Sequence, residues 1–386
     1  MNFVQVHHCS LSSQTNVYGC TTFALADKKH RILTASVQGK VTCLEFEATP
    51  HLRATKIDVP FTYIPEDAEI VAIDAFVRPP NGLVVGIAII KQEEGRKRFF
   101  LNVYGSHNSQ NDPRASFSWN DVVDDFQSCE LDFLPYHLIH SRRIAGDDDD
   151  DDDDGSGDGP FFLLSGGDGR VHHFQICKLH GVHEKSKKSI DSPQSIGNVT
   201  RIEIFNDNCT ALGSQNGVLT LILNEKTSSL KICDGPITAL KLFRFRDNDE
   251  RLNLLVGCAM ELAIVYEDVD HVGLAKPVPL PSSDRYDSVL CVAACDVTWD
   301  GQKELLIGTY GQKLLIYKKT TSGYSLVSDL TFAQPLYFVD YVDVFGDGVR
   351  ELVATSLSGL HVFQHNIDQV KSFCEKRLAS LCSKVV

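Results

Sequence analysis

Apolar and polar positions along the chain repeat as one unit: a short apolar strand, a polar turn, a strand carrying a small residue, another turn and a third strand. The unit is clearest at Asp296–Tyr317, DVTWDGQKELLIGTYGQKLLIY, and its first half returns at Asp343–Leu352 as DVFGDGVREL. Asp296, Asp300, Gly301, Glu304 and Leu305 each recur 47 positions later, as Asp343, Asp347, Gly348, Glu351 and Leu352. That period lies in the range of one β-propeller blade. A unit of this kind cannot bury both of its faces alone, so it needs neighbours of its own sort.

The same pattern occurs seven times, with small residues at Ala35, Gly86, Gly166, Gly213, Gly257, Gly308 and Ala354 as anchors. Their spacings are 51, 80, 47, 44, 51 and 46, and the long interval holds an acidic insertion. Ahead of most units stands a further strand, at Ile70–Phe76, Val199–Phe205, Ile237–Phe243, Val289–Cys295 and Leu336–Val342. Several of these strands are apolar almost throughout, as strands buried on both faces are. Gly, Asn, Asp and Pro clusters follow them and supply the reversals. The expected fold is all-β: a seven-bladed β-propeller over residues 1–365 with a short C-terminal α-helix over 366–386.

The last unit ends after three strands, at Phe363, and the segment Asn2–His8 is expected to supply its fourth and close the ring. Closure of that kind removes exposed sheet edges. In the tail, Ile367, Val370, Phe373, Cys374, Leu378 and Leu381 recur at helical spacing behind Asn366, a good N-cap. Such an amphipathic helix either packs on the propeller rim or docks a partner helix.

Composition narrows the function. The net charge is −14, and the run Asp147–Asp154 accounts for eight of those charges, leaving −6 for the rest. A mildly acidic surface lacks the basic stripe of a nucleic-acid binder. The run and its Gly-rich flanks, about 144–159, read as a disordered loop. The opening MNFVQVHHCS lacks the basic region and apolar core of a secretory signal. No apolar run approaches the about 20 residues that span a bilayer. The 12 cysteines show no CxxC or zinc spacing. Together these predict reduced thiols and a cytoplasmic protein without direct membrane insertion.

No motif carries chemistry in the required context: there is no nucleophile elbow, HExxH, P-loop or pair of catalytic carboxylates. No catalytic residue, metal ligand or cofactor is assigned, and the expectation is a protein that is not an enzyme. The Asp loops resemble calcium loops, but Thr298 and Phe345 stand where a middle ligand would be needed. Asp296, Asp300, Gly301, Glu304, Asp343, Asp347, Gly348 and Glu351 are therefore read as turn residues, held by side-chain to backbone hydrogen bonds. The histidines of HHFQICKLHGVH, from His172 to His183, fall on strand positions that alternate between faces, which argues against a metal site. The candidate partner-binding residues are Tyr63, Glu66 and Asp67, and Arg285, Tyr286 and Asp287. Each group precedes an inner strand and so belongs on the rim, and Tyr and Arg are enriched in binding hot spots.

A family resemblance rests on SSQTNVYG (Ser12–Gly19), FTYIPEDAEIVAIDAF (Phe61–Phe76), GLVVGIAII (Gly82–Ile90), FLLSGG (Phe162–Gly167), DGPITALKLF (Asp234–Phe243) and SDRYDSVLCVAACDVTWDGQKELLIGTYGQKLLIY (Ser283–Tyr317). These segments resemble the kaptin family, in order and over nearly the whole chain. The repeats are also similar, more distantly, to the FG-GAP units of integrin α-subunit propellers. The resemblance implies a non-enzymatic scaffold subunit of a KICSTOR-like complex, peripheral at the lysosomal membrane. Such a complex recruits the GATOR-type Rag GTPase regulator and restrains TOR complex 1 signalling when amino acids or glucose are scarce. Implied partners are a second FG-GAP-repeat propeller protein and a very large scaffold subunit. The family is also described as actin-filament-associated in actin-rich cell projections. The acidic charge weighs against direct binding to acidic filaments.

Overall fold

The computed structural model describes residues 3–382 except 48–52, 79–81, 106–116, 142–160, 178–180, 185–196, 206–207, 225 and 261. The acidic run and the His180 position lie outside the described residues. Among those described, 28 strands form seven four-stranded antiparallel sheets, six of them meanders in chain order, and the seven-bladed propeller expected from the repeats is the architecture observed. The inner strands of blades 1 to 7 are Cys20–Ala24, Glu69–Arg78, Pro135–Ser141, Val199–Phe205, Ile237–Phe243, Val289–Cys295 and Leu336–Val342.

Burial explains why these sequences make a ring. The second strands Cys209–Ser214, Asn253–Cys258, Glu304–Thr309 and Glu351–Ser356 are buried at every position. They have sheet neighbours on both sides and a blade against each face. Seven apolar clusters fill the seven interfaces, one per pair of adjacent blades, including blade 7 against blade 1 through Ile32, Leu44, Val344 and Val353. Each side chain so covered contributes at about 25 cal/mol per Å² of apolar area removed from water.

The small anchors sit at the closest approach between blades. A Cβ on Gly213 would lie 2.4 Å from Ile237 Cγ2, one on Gly257 2.6 Å from Val289 Cγ1, and one on Gly308 3.1 Å from Leu336 Cβ. Ile237 and Val289 open the next blade's inner strand, so glycine lets that strand cross over. A register shift follows the first residues of the inner strands in blades 2 to 7, the bulge that turns each strand toward the axis.

Blade 7 takes its outer strand from the chain start. Phe3–Ser10 pairs antiparallel with Gly359–His365, from Phe3 opposite His365 to Ser10 opposite Gly359. The C-terminal helix spans Ile367–Cys382, and Asn366 Oδ1 caps it by accepting from the N–H groups of Asp368 and Gln369. No helix among the described residues is long and apolar enough to cross a membrane.

Candidate interaction surfaces and the axial channel

Two faces result from the meander. On the upper face, each outer strand runs into the next inner strand and the second strand turns into the third. On the lower face, the inner strand turns into the second, and the Asp loops of blades 6 and 7 lie there. In blade 6, Asp296 Oδ1 accepts from Asp300 N–H at 3.1 Å and Oδ2 from Gly301 N–H at 2.8 Å. In blade 7, Asp343 Oδ2 accepts from Gly348 N–H at 2.8 Å, while Oδ1 takes Gly346 and Asp347. Gly301 and Gly348 have φ of 83° and 85°, the left-handed region that favours glycine. Both carboxylates are thus engaged in holding their own turns.

The two loops differ in how they treat the buried glutamate beneath them. Glu304 Oε2 accepts from the N–H groups of Val297 and Thr298, and Oε1 meets Lys318 Nζ at 2.8 Å. Lys318 also reaches Asp300. At the equivalent place in blade 7 stands Gln364, whose Nε2 donates to Glu351 Oε1 at 3.3 Å. With Gln364 in place of a lysine, burial pushes the Glu351 carboxyl up to about 7, the Val344 and Gln364 donors opposing it and Asp343 and Asp347 adding to it.

The rim candidates lie on the upper face in two separate places. Tyr63 is 73% exposed and stacks on Phe126 with ring centroids 4.4 Å apart. Glu66 and Asp67 follow it in the same exposed loop, between blades 1 and 2. Arg285 and Asp287 are exposed between blades 5 and 6, and Tyr286 is half-buried with Lys313 Nζ 5.7 Å from its ring centre. The Gly311 N–H donates to Tyr286 O at 2.9 Å, which ties this loop to the neighbouring upper turn of blade 6. Tyr63, Ser282, Asp287 and Gln312 all have left-handed φ, between 59° and 66°. The fold brings residues together within each group but leaves the two groups apart, with blades 6, 7 and 1 between the loops. Further exposed apolar side chains on this face are Met260 and Tyr310, at 78% and 52%.

Sequence reasoning missed the axial channel. Residues of all seven inner strands line a space of about 490 Å³ that contains Asp74, His140, Arg201, Glu203, Lys241 and Asp340. Asp74 Oδ2 meets His140 Nδ1 at 2.8 Å, and Glu203 Oε1 meets Lys241 Nζ at 2.8 Å. The Glu203 carboxylate raises the Lys241 ammonium above its ordinary value, against the effect of burial. Asp340 Oδ2 accepts from Thr22 Oγ1 at 2.7 Å. The signal was present: VAIDAF, VTRIEIF, ITALKLF and YFVDYV each carry charge inside an otherwise apolar strand. Nothing in the strand pattern alone says that these charges converge on one axis.

At the upper end of this channel the groups are Tyr18, His137 and Arg201. Arg201 donates to the carbonyls of Thr238, Val17 and Leu290, and its guanidinium carbon lies 4.5 Å from the Tyr18 ring centre. Burial, with Arg201 nearby, holds His137 well below the ordinary imidazole range, so its Nδ1 stays free to accept from Ile202 N–H at 3.1 Å. His172 is a structural group: its two ring nitrogens face Glu184 at 2.6 Å and Asp168 at 3.1 Å, and the ring stacks on Phe133. On the lower face, the C-terminal helix rests on Trp299 through Phe373, ring centroids 6.1 Å apart, and through Arg377, which donates to Trp299 O at 2.9 Å. Ile367 and Leu378 remain 80% and 62% exposed.

Among solved structures, BBS1N in its complex with ARL6DN is similar at a TM-score of 0.59 and 12% identity, covering 95% of this chain and 97% of that one. The WD40 β-propeller domain of Doa1 is similar at a TM-score of 0.54 and 12% identity, covering 95% and 98%. At such identity the two show the fold alone. A mouse (Mus musculus) protein described as KICSTOR complex protein kaptin is 33% identical over 400 residues, covering 95% of this chain and 89% of the relative. A family model described as KICSTOR complex protein kaptin matches residues 3–375. The chain therefore belongs to the family of KICSTOR complex protein kaptin.

Proposed function

We propose that the chain is a non-enzymatic scaffold subunit of a KICSTOR-like complex, peripheral at the lysosomal membrane, that restrains TOR complex 1 signalling when amino acids or glucose are limiting. It acts by protein–protein binding, with a second FG-GAP-repeat propeller protein and a very large scaffold subunit as partners. The observation that carries this reading is the family match over nearly the entire chain, outer strand of the last blade included. Physical support comes from the two rim loops. Exposed aromatic and Arg side chains on backbone held in left-handed conformations are what a preorganised contact surface needs.

The test is genetic. In cells lacking the chain, TOR complex 1 substrates should stay phosphorylated after amino-acid withdrawal, and re-expression of the chain should restore the fall. An intact starvation response without the chain contradicts the reading. Co-sedimentation with actin filaments at physiological salt separates the cytoskeletal alternative, because saturable pelleting would support a direct filament contact instead.

A further inference from the structure

Between the outer strand of blade 7 and the inner strand of blade 1, the segment Leu11–Gly19 crosses the upper face and ends inside the axial channel. Along the way Leu11 N–H donates to Ser358 O and Thr15 N–H to Leu357 O, both at 2.9 Å, while Gln14 O accepts from Val37 N–H at 2.8 Å. Thr15 Oγ1 donates to Ala35 O at 2.6 Å, and Asn16 Nδ2 to Ile70 O at 3.1 Å. Tyr18 then enters the channel. Its hydroxyl donates to Thr200 O at 2.7 Å, its carbonyl accepts from Ile73 N–H at 3.0 Å, and its ring lies 5.3 Å from His137. Arg201 covers the same ring and donates to Val17 O, and its other bonds go to Thr238 O of blade 5 and Leu290 O of blade 6.

We infer that residues 3–19 form a two-point latch, in which the pairing of Phe3–Ser10 with Gly359–His365 and the seating of Tyr18 against Arg201 are made and lost together. The physical reason is the shortness of the crossing. Leu11, Gln14, Thr15 and Asn16, between the two points, are each bonded to blade 7, blade 1 or blade 2, so little slack remains for one end to open alone. Arg201 makes the inner point strong because its donors serve carbonyls of three other chain segments, and hydrogen bonds from a charged donor are stronger than neutral ones. A peripheral edge strand is thereby made to report on the centre of the ring. The inference is independent of the proposed partners.

Hydrogen exchange on the full chain tests it, since local opening has its own free energy. With Arg201→Gln, amides of 3–10 and of 15–19 should exchange faster by the same factor, roughly tenfold, which corresponds to ~1.4 kcal/mol. The outer strand of blade 6, Gly323–Thr331, makes no bond to Arg201, is separated by two strands from the one that holds Leu290 and should be unchanged. Tyr18→Phe removes only the bond to Thr200 O, and should give the same paired pattern at smaller size even if Arg201→Gln fails to fold. Faster exchange at 15–19 with residues 3–10 unaffected would overturn the latch. So would equal acceleration in every blade, which would make Arg201 a general stabiliser only.

Discussion

Glu304 and Glu351 occupy equivalent places under equivalent loops, both fully buried, yet only Glu304 has an ammonium beside it. Removing one partner of a buried pair costs more than the pair contributes. Lys318→Met should therefore lower stability by about 2–3 kcal/mol in urea titration, a figure reduced because Lys318 is partly exposed. For Glu351 the sign follows from its raised value of about 7 against an ordinary 4.5. Its contribution is fully present below the unfolded value and is lost as pH rises through the folded one. Glu351→Gln keeps the acceptor for Val344 N–H and abolishes the titration. Its melting temperature relative to the parent should rise between pH 5 and pH 8; a constant difference across that range would contradict the assignment. The turn-forming aspartates were legible in the sequence because Asp-x-x-x-Asp-Gly defines its own local hydrogen bonds. The Lys318–Gln364 contrast was not, since it depends on which third strand lies beside the loop.

The blade is the element, and its anchor glycines were visible as a recurring small residue before strand pairing was known. Their cause is tertiary: Gly257 faces Val289 of the next blade. Gly257→Ala should destabilise by about 1–3 kcal/mol through overpacking, although alanine has the better intrinsic propensity. Denaturant unfolding measures this, and a neutral result would mean that the blades separate easily there. The closing strand belongs to the same scale. Deleting residues 1–10 leaves Gly359–His365 without its outer partner and should lower the melting temperature by many degrees. An unchanged melting curve would show that the strand contributes nothing to closure. A closing strand was legible from counting, because one blade was a strand short, and the expected Asn2–His8 lies at Phe3–Ser10. Its anchoring in the channel was not, because SSQTNVYG carries no strand or helix pattern of its own.

At the scale of the whole molecule, the ring places two exposed loop groups on one face while gathering five charged side chains and His140 about the axis. Length and period gave the number of blades; they say nothing of which side chains meet across a channel, since those come from strands up to hundreds of residues apart. Partner identity is less legible still, because it resides in another molecule's surface. If the upper rim carries the binding, Arg285→Ala with Tyr286→Ala should weaken recovery of partner subunits by tenfold or more, as loss of a hot spot of about 2 kcal/mol does. Tyr63→Ala tests the second loop separately, and intact recovery in both cases would move the interface to the lower face.

Membership of the kaptin family makes this propeller a subunit of a larger assembly. Affinity purification of the tagged full chain from its own cells, fed and starved, addresses it most directly. The account predicts recovery of a second FG-GAP-repeat propeller and a very large scaffold subunit in both states; actin and filament-associated proteins alone would contradict it.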